Sequence, residues 1–514
     1  MRHQRGLCRV ALVSSPRGQR QKWYPLIVSR RREEKGLREA GPPAKFLRVH
    51  ALALAVASFL LLPLLGQERK PSSQEFNLTL VGDSIIMQPV SVHQGEPRFM
   101  AAVSAVRQGD AAFTNLELVF PSRDASPAAE SGGTWMAADP SMLKELQWVG
   151  LNLYAAANNH SLDYGIQGLL DTIRVLKQGG AVYAGIGENL GEARAPAYLT
   201  TAHGRVALVS CASTFPPGSP AGQQRPDLRG RPGLNPMRFQ TRYGVDAASL
   251  EALRKIKTEL KLSGGSPLSE EESGSSQTVT LSFGSTVATF GYSETPGVAT
   301  TADPGDLAEL IHSIRDAGEM ADHVVASIHA HEGAPGAREV PAQFLVEFAH
   351  AAVDAGADVI VGHGPHILRG IEIYRGKVIF YSLGSFILDN DLVRFLPSDM
   401  YEQLDLGPDA LPSEFYNARS NHDRQGFPAN PFYWQSVIAR VVFRDGHPAE
   451  IILTPISLGF GKKRTQRGYP EAAELALATQ ILERLQNLSQ PFGTNIVIKN
   501  GVGTVTIGGS NPSK

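Results

Sequence analysis

Residues 359–387 read VIVGHGPHILRGIEIYRGKVIFYSLGSFI, and this stretch decides how the rest of the chain is understood. An apolar run ending at Gly362 predicts a buried strand, and two imidazoles, His363 and His366, follow at once around a Gly-Pro pair. Open α/β sheets place ligand sites in short loops leaving the ends of such strands, so the two histidines are candidate metal ligands. On these residues alone, the loop reads equally well as an ordinary Gly-Pro turn carrying surface histidines. The second half alternates like a hairpin, with a turn at Arg375, Gly376 and Lys377 and a second strand closing on Gly384.

The same pattern recurs outward from this stretch. Residues 76–81 form an apolar strand that delivers Gly82, Asp83 and Ser84. DAAFTNLELVF closes on Asn115 and Glu117, LNLYAAANNHSLDYG on Asn158, Asn159 and His160, and HVVASIHAHEG on His329 and His331. Helical spacing lies between these strands, at 99–108, 139–149 and from Gly165 on, so the chain predicts a layered α/β sheet covered by helices. In a sheet with a common ligand edge, the polar strand ends would converge. Carboxylate, amide oxygen and imidazole together suit Mn, Fe or Zn, whereas Mg or Ca would draw mostly on oxygen. A divalent metal, one or two ions, is therefore the expected cofactor. His331 points the same way as His329 on a strand, and His329 is preferred as the ligand. The Asp163-Tyr164-Gly165 turn reads as a helix start.

Composition bounds the alternatives. A chain of 514 residues, 42% hydrophobic and 19% charged, is ordinary globular protein. The net charge of −1 averages two unlike parts, since residues 1–50 hold about ten more positive than negative charges and leave the remainder near −11. A mildly acidic body makes nucleic acid an unexpected partner. Two cysteines, Cys8 and Cys211, exclude a CxxC-type zinc or redox site. The apolar run ALALAVASFLLLPLLG at 51–66, flanked by Lys45 and Arg48, predicts a secretory signal or an N-terminal anchor, hence export to the cell envelope. The expected organisation is a leader over 1–74, a core domain over 75–390 with an insertion at about 240–300, and a C-terminal extension over 391–514. That extension would complete the sheet and add a helix and a hairpin.

GDS at 82–84, TNLE at 114–117, NNHSLDYG at 158–165, SIHAHEG at 327–333, and GHGPH with YSLGSFI resemble the CapA-type capsule-synthesis proteins, called PgsA in poly-γ-glutamate systems. That family belongs to the calcineurin-like metallophosphatase superfamily. The resemblance implies a four-layer αββα sandwich, here with a C-terminal β-rich extension, and a dinuclear metal site at strand ends. By position it implies that Asp83 and His366 bind a first metal, that Glu117 bridges in place of the usual aspartate, and that Asn159, His329 and His363 hold a second. His160 would be the proton donor. Apart from the resemblance, Asn115 reads as a substrate contact, an orienter of Glu117 or a loop cap, and Arg369 as a weak contact to an anionic polymer or a solvated loop arginine. The superfamily's opening motif carries a histidine two residues after the aspartate, where this chain has Ile85. The implied function is capsule or poly-γ-glutamate synthesis or export. It would be exerted either by a metal-dependent hydrolase or transferase acting on a phosphoester or γ-glutamyl polymer, or by a non-catalytic subunit of an export assembly. Membrane synthase subunits and an anionic polymer are the implied partners.

Overall fold

The first strand among the described residues, β1 (Glu75–Ile85), is buried from Leu78 onward. In the computed structural model, the described residues are 75–262, 277–283 and 286–508. The expected leader and its apolar run lie outside them. Among the described residues, no helix is long and apolar enough to cross a membrane.

Beside β1, in chain order and parallel, run β2 (Ala111–Leu116), β3 (Leu153–Ala155) and β4 (Val182–Ala184). A second sheet is built from β5 (Ala197–Thr200), β6 (Arg205–Ala212), β7 (His323–His329), β8 (Val359–His363), β9 (Ile371–Tyr374) and β10 (Lys377–Phe380). Its order is β9-β10-β8-β7-β6-β5, with the four central strands parallel. The chain then returns to the first sheet. There β11 (Ser385–Leu388) pairs parallel with β1, and β12 (Gln435–Arg444) pairs antiparallel with it. Next come β13 (His447–Ser457) and the hairpin β14 (Val497–Lys499) and β15 (Val502–Thr506).

The two sheets share a core, because alternate residues of each strand face it. Leu78, Leu80 and Phe113 from the first sheet pack in one cluster with Val206, Val325 and Val361 from the second. On the opposite face of the first sheet, Val81 and Ile85 pack with α1 (Pro97–Val106), α2 (Met142–Val149) and α3 (Gly165–Gln178). The second sheet's other face packs against α4 (Pro304–Gly318) and α5 (Gln343–Asp354). The start of α4 is fixed locally: Pro304 sits in its first turn, and the Asp303 carboxylate accepts from the amides of Gly305 and Asp306 at 3.0 Å each. Such a cap contributes about 1 kcal/mol. Strands Phe239–Val245, Thr278–Phe283, Thr286–Tyr292 and Gly297–Ala302 form a separate four-stranded sheet.

The expected hairpin is confined to β9 and β10, turning through Arg375 and Gly376, both at positive φ. The second strand stops at Phe380 rather than closing on Gly384, because YSLGSFI crosses from one sheet to the other. Gly384 turns at φ +76, and Ser385–Leu388 continues in the first sheet. The crossing depends on a missing side chain. A Cβ at Gly82 would lie 1.7 Å from the Gly384 carbonyl oxygen, and that oxygen accepts from the Asp83 amide at 3.1 Å.

Candidate metal centre

Register brings the polar strand ends together. In the parallel pair β7 and β8, His329 lies opposite His363; in β1 and β2, Asp83 lies opposite Asn115. Glu117, two residues past Asn115, follows the end of β2, and Asn159 and His160 follow β3. The GHGPH turn then folds His366 back over the cluster, with Gly364 at φ +111 and His366 itself left-handed at φ +59. A non-glycine residue held there carries local strain of the kind that collects at functional sites. The Gly364 amide donates to Asp83 Oδ2 at 3.2 Å, which pins the turn to the first sheet.

The donor atoms surround Glu117. From its Oε1, His366 Nε2 is 3.5 Å away, and His329 Nε2 and His160 Nε2 are each 3.9 Å away. Asp83 Oδ2 lies 3.1 Å from His366 Nδ1, and Asp83 Oδ1 lies 3.8 Å from His363 Nδ1. His329 stands between two other imidazoles, with Nδ1 3.1 Å from His363 Nδ1 and Nε2 3.1 Å from His331 Nε2. Three sets have donor atoms mutually within 4.8 Å: Asp83, His329 and His363; Glu117, His329 and His331; Asp83, Glu117 and His366.

A surrounding network fixes these groups. The Asn115 amide donates to Asp83 Oδ1 at 2.8 Å, and the Asn158 amide donates to Asn115 Oδ1 at 3.3 Å and to the Leu116 carbonyl at 2.8 Å. Ser327 Oγ is 2.7 Å from His363 Nε2. His160 Nδ1 lies 2.7 Å from Asp163 Oδ2, an oxygen that also accepts from the Met136 amide at 2.7 Å, so the ring presents Nε2 to Glu117.

The electrostatics are uneven. Burial pushes the Asp83 carboxyl up, but the hydrogen bond and charge of His366, with His363 and His329, hold it well below the usual carboxylate range. Glu117 is driven well above that range by burial and then by the neighbouring Asp83. Burial pushes His329 and His331 well below the ordinary imidazole value and His363 down to about 4.

Does this donor set suit a cation? Glu117 Oε1 is fully buried and without a hydrogen-bond partner, and so is Asn159 Oδ1. Unsatisfied buried acceptors are rare and costly. Ligands at the 2.0–2.2 Å bond lengths of zinc-type sites stand about 3–4 Å from one another, and the nitrogens around Glu117 Oε1 match that spacing. The residues present could hold a metal.

Asp83, Glu117, His160, His329, His363 and His366 are thus brought together. Asn159 adds a buried, unpartnered Oδ1, while its amide donates to the Gly132 carbonyl at 3.2 Å. Asn115 lies inside the network, where it touches Asp83. Arg369 stands differently from the expected substrate contact. It is 1% exposed, and its guanidinium donates to the carbonyls of Arg338, Ala330 and His331, so its charge is turned into the fold and burial lowers it to about 10. Asp163 is more than a helix start, since α3 begins at Gly165 without a side-chain cap and Asp163 holds His160. The i,i+3 spacing of His160 and Asp163 carried that signal. His331, the alternative to His329, lies with its Nε2 3.1 Å from His329 Nε2, and Asn158 supports Asn115. Ile85 packs into the helix-side core and brings no imidazole.

Fold and cluster together define an α/β protein whose strand ends gather buried carboxylates and imidazoles able to bind a metal. The chain belongs to the family described as "Bacterial capsule synthesis protein PGA_cap", which matches residues 77–390. It is 38% identical over 445 residues, 84% of this chain and 93% of the relative, to "Uncharacterized protein y4sH" of Sinorhizobium fredii. It is 26% identical over 262 residues, 50% of this chain and 45% of the relative, to "Capsule biosynthesis protein CapA" of Bacillus anthracis. A "Probable polyglutamine synthesis accessory protein" of Mycobacterium tuberculosis is 28% identical over 235 residues, 46% of this chain and 44% of the relative.

Proposed function

We propose that the protein is a metal-dependent hydrolase or transferase of capsule or poly-γ-glutamate synthesis, acting at the cell envelope on a phosphoester or γ-glutamyl bond. The reading rests on one observation, the orphaned Glu117 Oε1 ringed by three imidazole nitrogens. Two helix-flanked sheets with a shared core support a four-layer metallophosphatase-like arrangement, and the apolar run at 51–66 supports export.

Asp83, Glu117 and His366 would hold one cation. Glu117, His329 and His331, joined by Asn159, would hold the other, and His363 closes the set against Asp83 and His329. When bound, such ions polarise the scissile group and supply hydroxide at neutral pH. The protein's own part is positional. Asn115 and the Gly364 amide fix Asp83, and Asp163 fixes the His160 tautomer. In its doubly protonated form, with Nδ1–H donated to Asp163, His160 would offer its Nε2 proton to the departing oxygen or nitrogen and return to the neutral ring.

A non-catalytic export subunit is the second reading, and Ile85 favours it, because one ligand of the first cation is replaced by a core side chain. Metal analysis of the purified chain, with a chromogenic phosphodiester and a γ-glutamate oligomer in Mn²⁺, separates the two. Bound metal with turnover of either compound, both lost in His366→Ala, supports the enzyme. Bound metal without turnover supports the subunit, and folded protein that takes up no metal refutes the centre.

A further inference from the structure

Next to the candidate centre, a cavity of about 160 Å³ is lined by Arg419, Ser420, Gln425, Phe427, Tyr416 and Trp434. At about 30 Å³ per water, it has room for some five waters, enough for one side-chain-sized group and too little for a folded segment. Two contacts tie it to the centre. The Phe427 ring stands edge-on to the His366 ring, with centroids 5.2 Å apart, and the Arg419 guanidinium donates to Thr134 Oγ1, one residue past Gly133, which borders His160.

Arg419 is singled out by what its neighbours do. Arg464 and Arg467 are both engaged with Asp423, at 3.1 and 3.0 Å, and with Asp391, which also lines the cavity. Those pairs, with Ser420 Oγ accepting from the Asp423 amide at 2.9 Å, hold Asn421, His422 and Asp423 in three successive left-handed conformations. Such strain persists only where surrounding contacts over-determine it. Asp391 and Asp423 are engaged by this brace, and Arg419, on the wall, has no carboxylate among the described residues within ion-pair distance. A planar guanidinium beside an aromatic wall, with the Asp391 charge on the same lining met by Arg464 and Arg467, suits a carboxylate on a short aliphatic stem.

We infer that this cavity is a substrate subsite that seats one free carboxylate of an acidic polymer unit, with Arg419 as its anchor and Phe427 and Trp434 against the methylenes. The inference rests on the centre being the place where substrate binds, whether or not it turns substrate over. A γ-linked glutamate unit carries such a carboxylate on each residue, and a phosphodiester does not.

The test uses the full chain, calorimetric titration with a γ-linked glutamate oligomer and with its methyl ester, and a chromogenic phosphodiester as an independent probe of the centre. The acid is expected to bind at least tenfold more tightly than the ester. Arg419→Gln should weaken the acid about tenfold or more and leave binding of the ester unchanged; Arg419→Lys should recover part of the loss. Equal binding of acid and ester, or acid binding indifferent to Arg419→Gln, overturns the subsite while leaving the metal-centre reading standing. Discrimination without turnover or bound metal keeps the subsite and removes the hydrolase. If Arg419→Gln does not fold, the acid-against-ester comparison on the unaltered chain together with Arg419→Lys decides.

Discussion

Gly364→Ala separates the geometry of the candidate centre from general stability. Gly364 has φ +111, and a Cβ there would stand 3.0 Å from His331 Cδ2 and 3.1 Å from both Cε1 and Nε2 of His329. Adding a methyl at positive φ costs about 1–2 kcal/mol in the backbone alone. At about 2.1 cal/mol/K of unfolding entropy per residue, a fold running from residue 75 to 508 loses only about 1 °C of Tm per kcal/mol, so a drop of about 1–2 °C is expected. The contacts add something that the backbone does not: both imidazoles must move by several tenths of an ångström, and displacements of that kind weaken metal binding about 10–100-fold. Gly376→Ala is the control, because it has φ +75 with nothing within 4 Å of the new methyl. Thermal melts and metal content after dialysis should show both variants losing a similar amount, about 1–2 °C, with only Gly364→Ala losing the ion. Gly364→Ala with unaltered metal content would refute the reasoning, as would an equal loss in Gly376→Ala.

Other outcomes follow from the same contacts. Asp163→Asn should keep its metal yet lose about 10–100-fold in turnover, since the 2.7 Å contact that orients His160 is weakened; single-turnover rates beside metal analysis check it. Asp389 is fully buried and burial raises it to about 7, with the Met87 amide donating to it at 3.0 Å and opposing the rise. The folded chain then keeps a proton that the unfolded chain releases above its ordinary value of 3.8, so this group's contribution to stability falls as pH rises from about 4 to 7 and is level above. The effect reaches about 4 kcal/mol at most, and denaturant titrations of Asp389→Asn across that window should show a flatter profile. Gly82→Ala should abolish soluble folded protein, because its Cβ would meet the Gly384 oxygen at 1.7 Å; a native-like melting curve would contradict this.

Much of the centre was legible because a buried strand that ends abruptly in Asp, Asn or His leaves little other explanation for those residues, and parallel neighbours put their ends on one edge. Asp83, Glu117, His329 and His363 could be read that way. The split of YSLGSFI could not, since an apolar run looks alike in either sheet, and only the Gly82 to Gly384 approach shows where it crosses. Arg369 misled for a related reason. A guanidinium beside a histidine loop reads as a surface anchor until three carbonyls are found around it. Arg419 lies outside every motif, at the end of the helix Pro412–Arg419, and the left-handed turn that follows it is braced by the ion pairs of Asp391 and Asp423 rather than by any local pattern.

The donor atoms come from both sheets: Asp83 and Glu117 from one, His329 and His363 from the other. An ion seated among them would act as a buckle across the molecule's midline. Prising the halves apart by an ångström or two would release it, so its escape rate would report how often the two halves breathe. Chelators would then act slowly on the intact protein and quickly on one whose midline had been loosened.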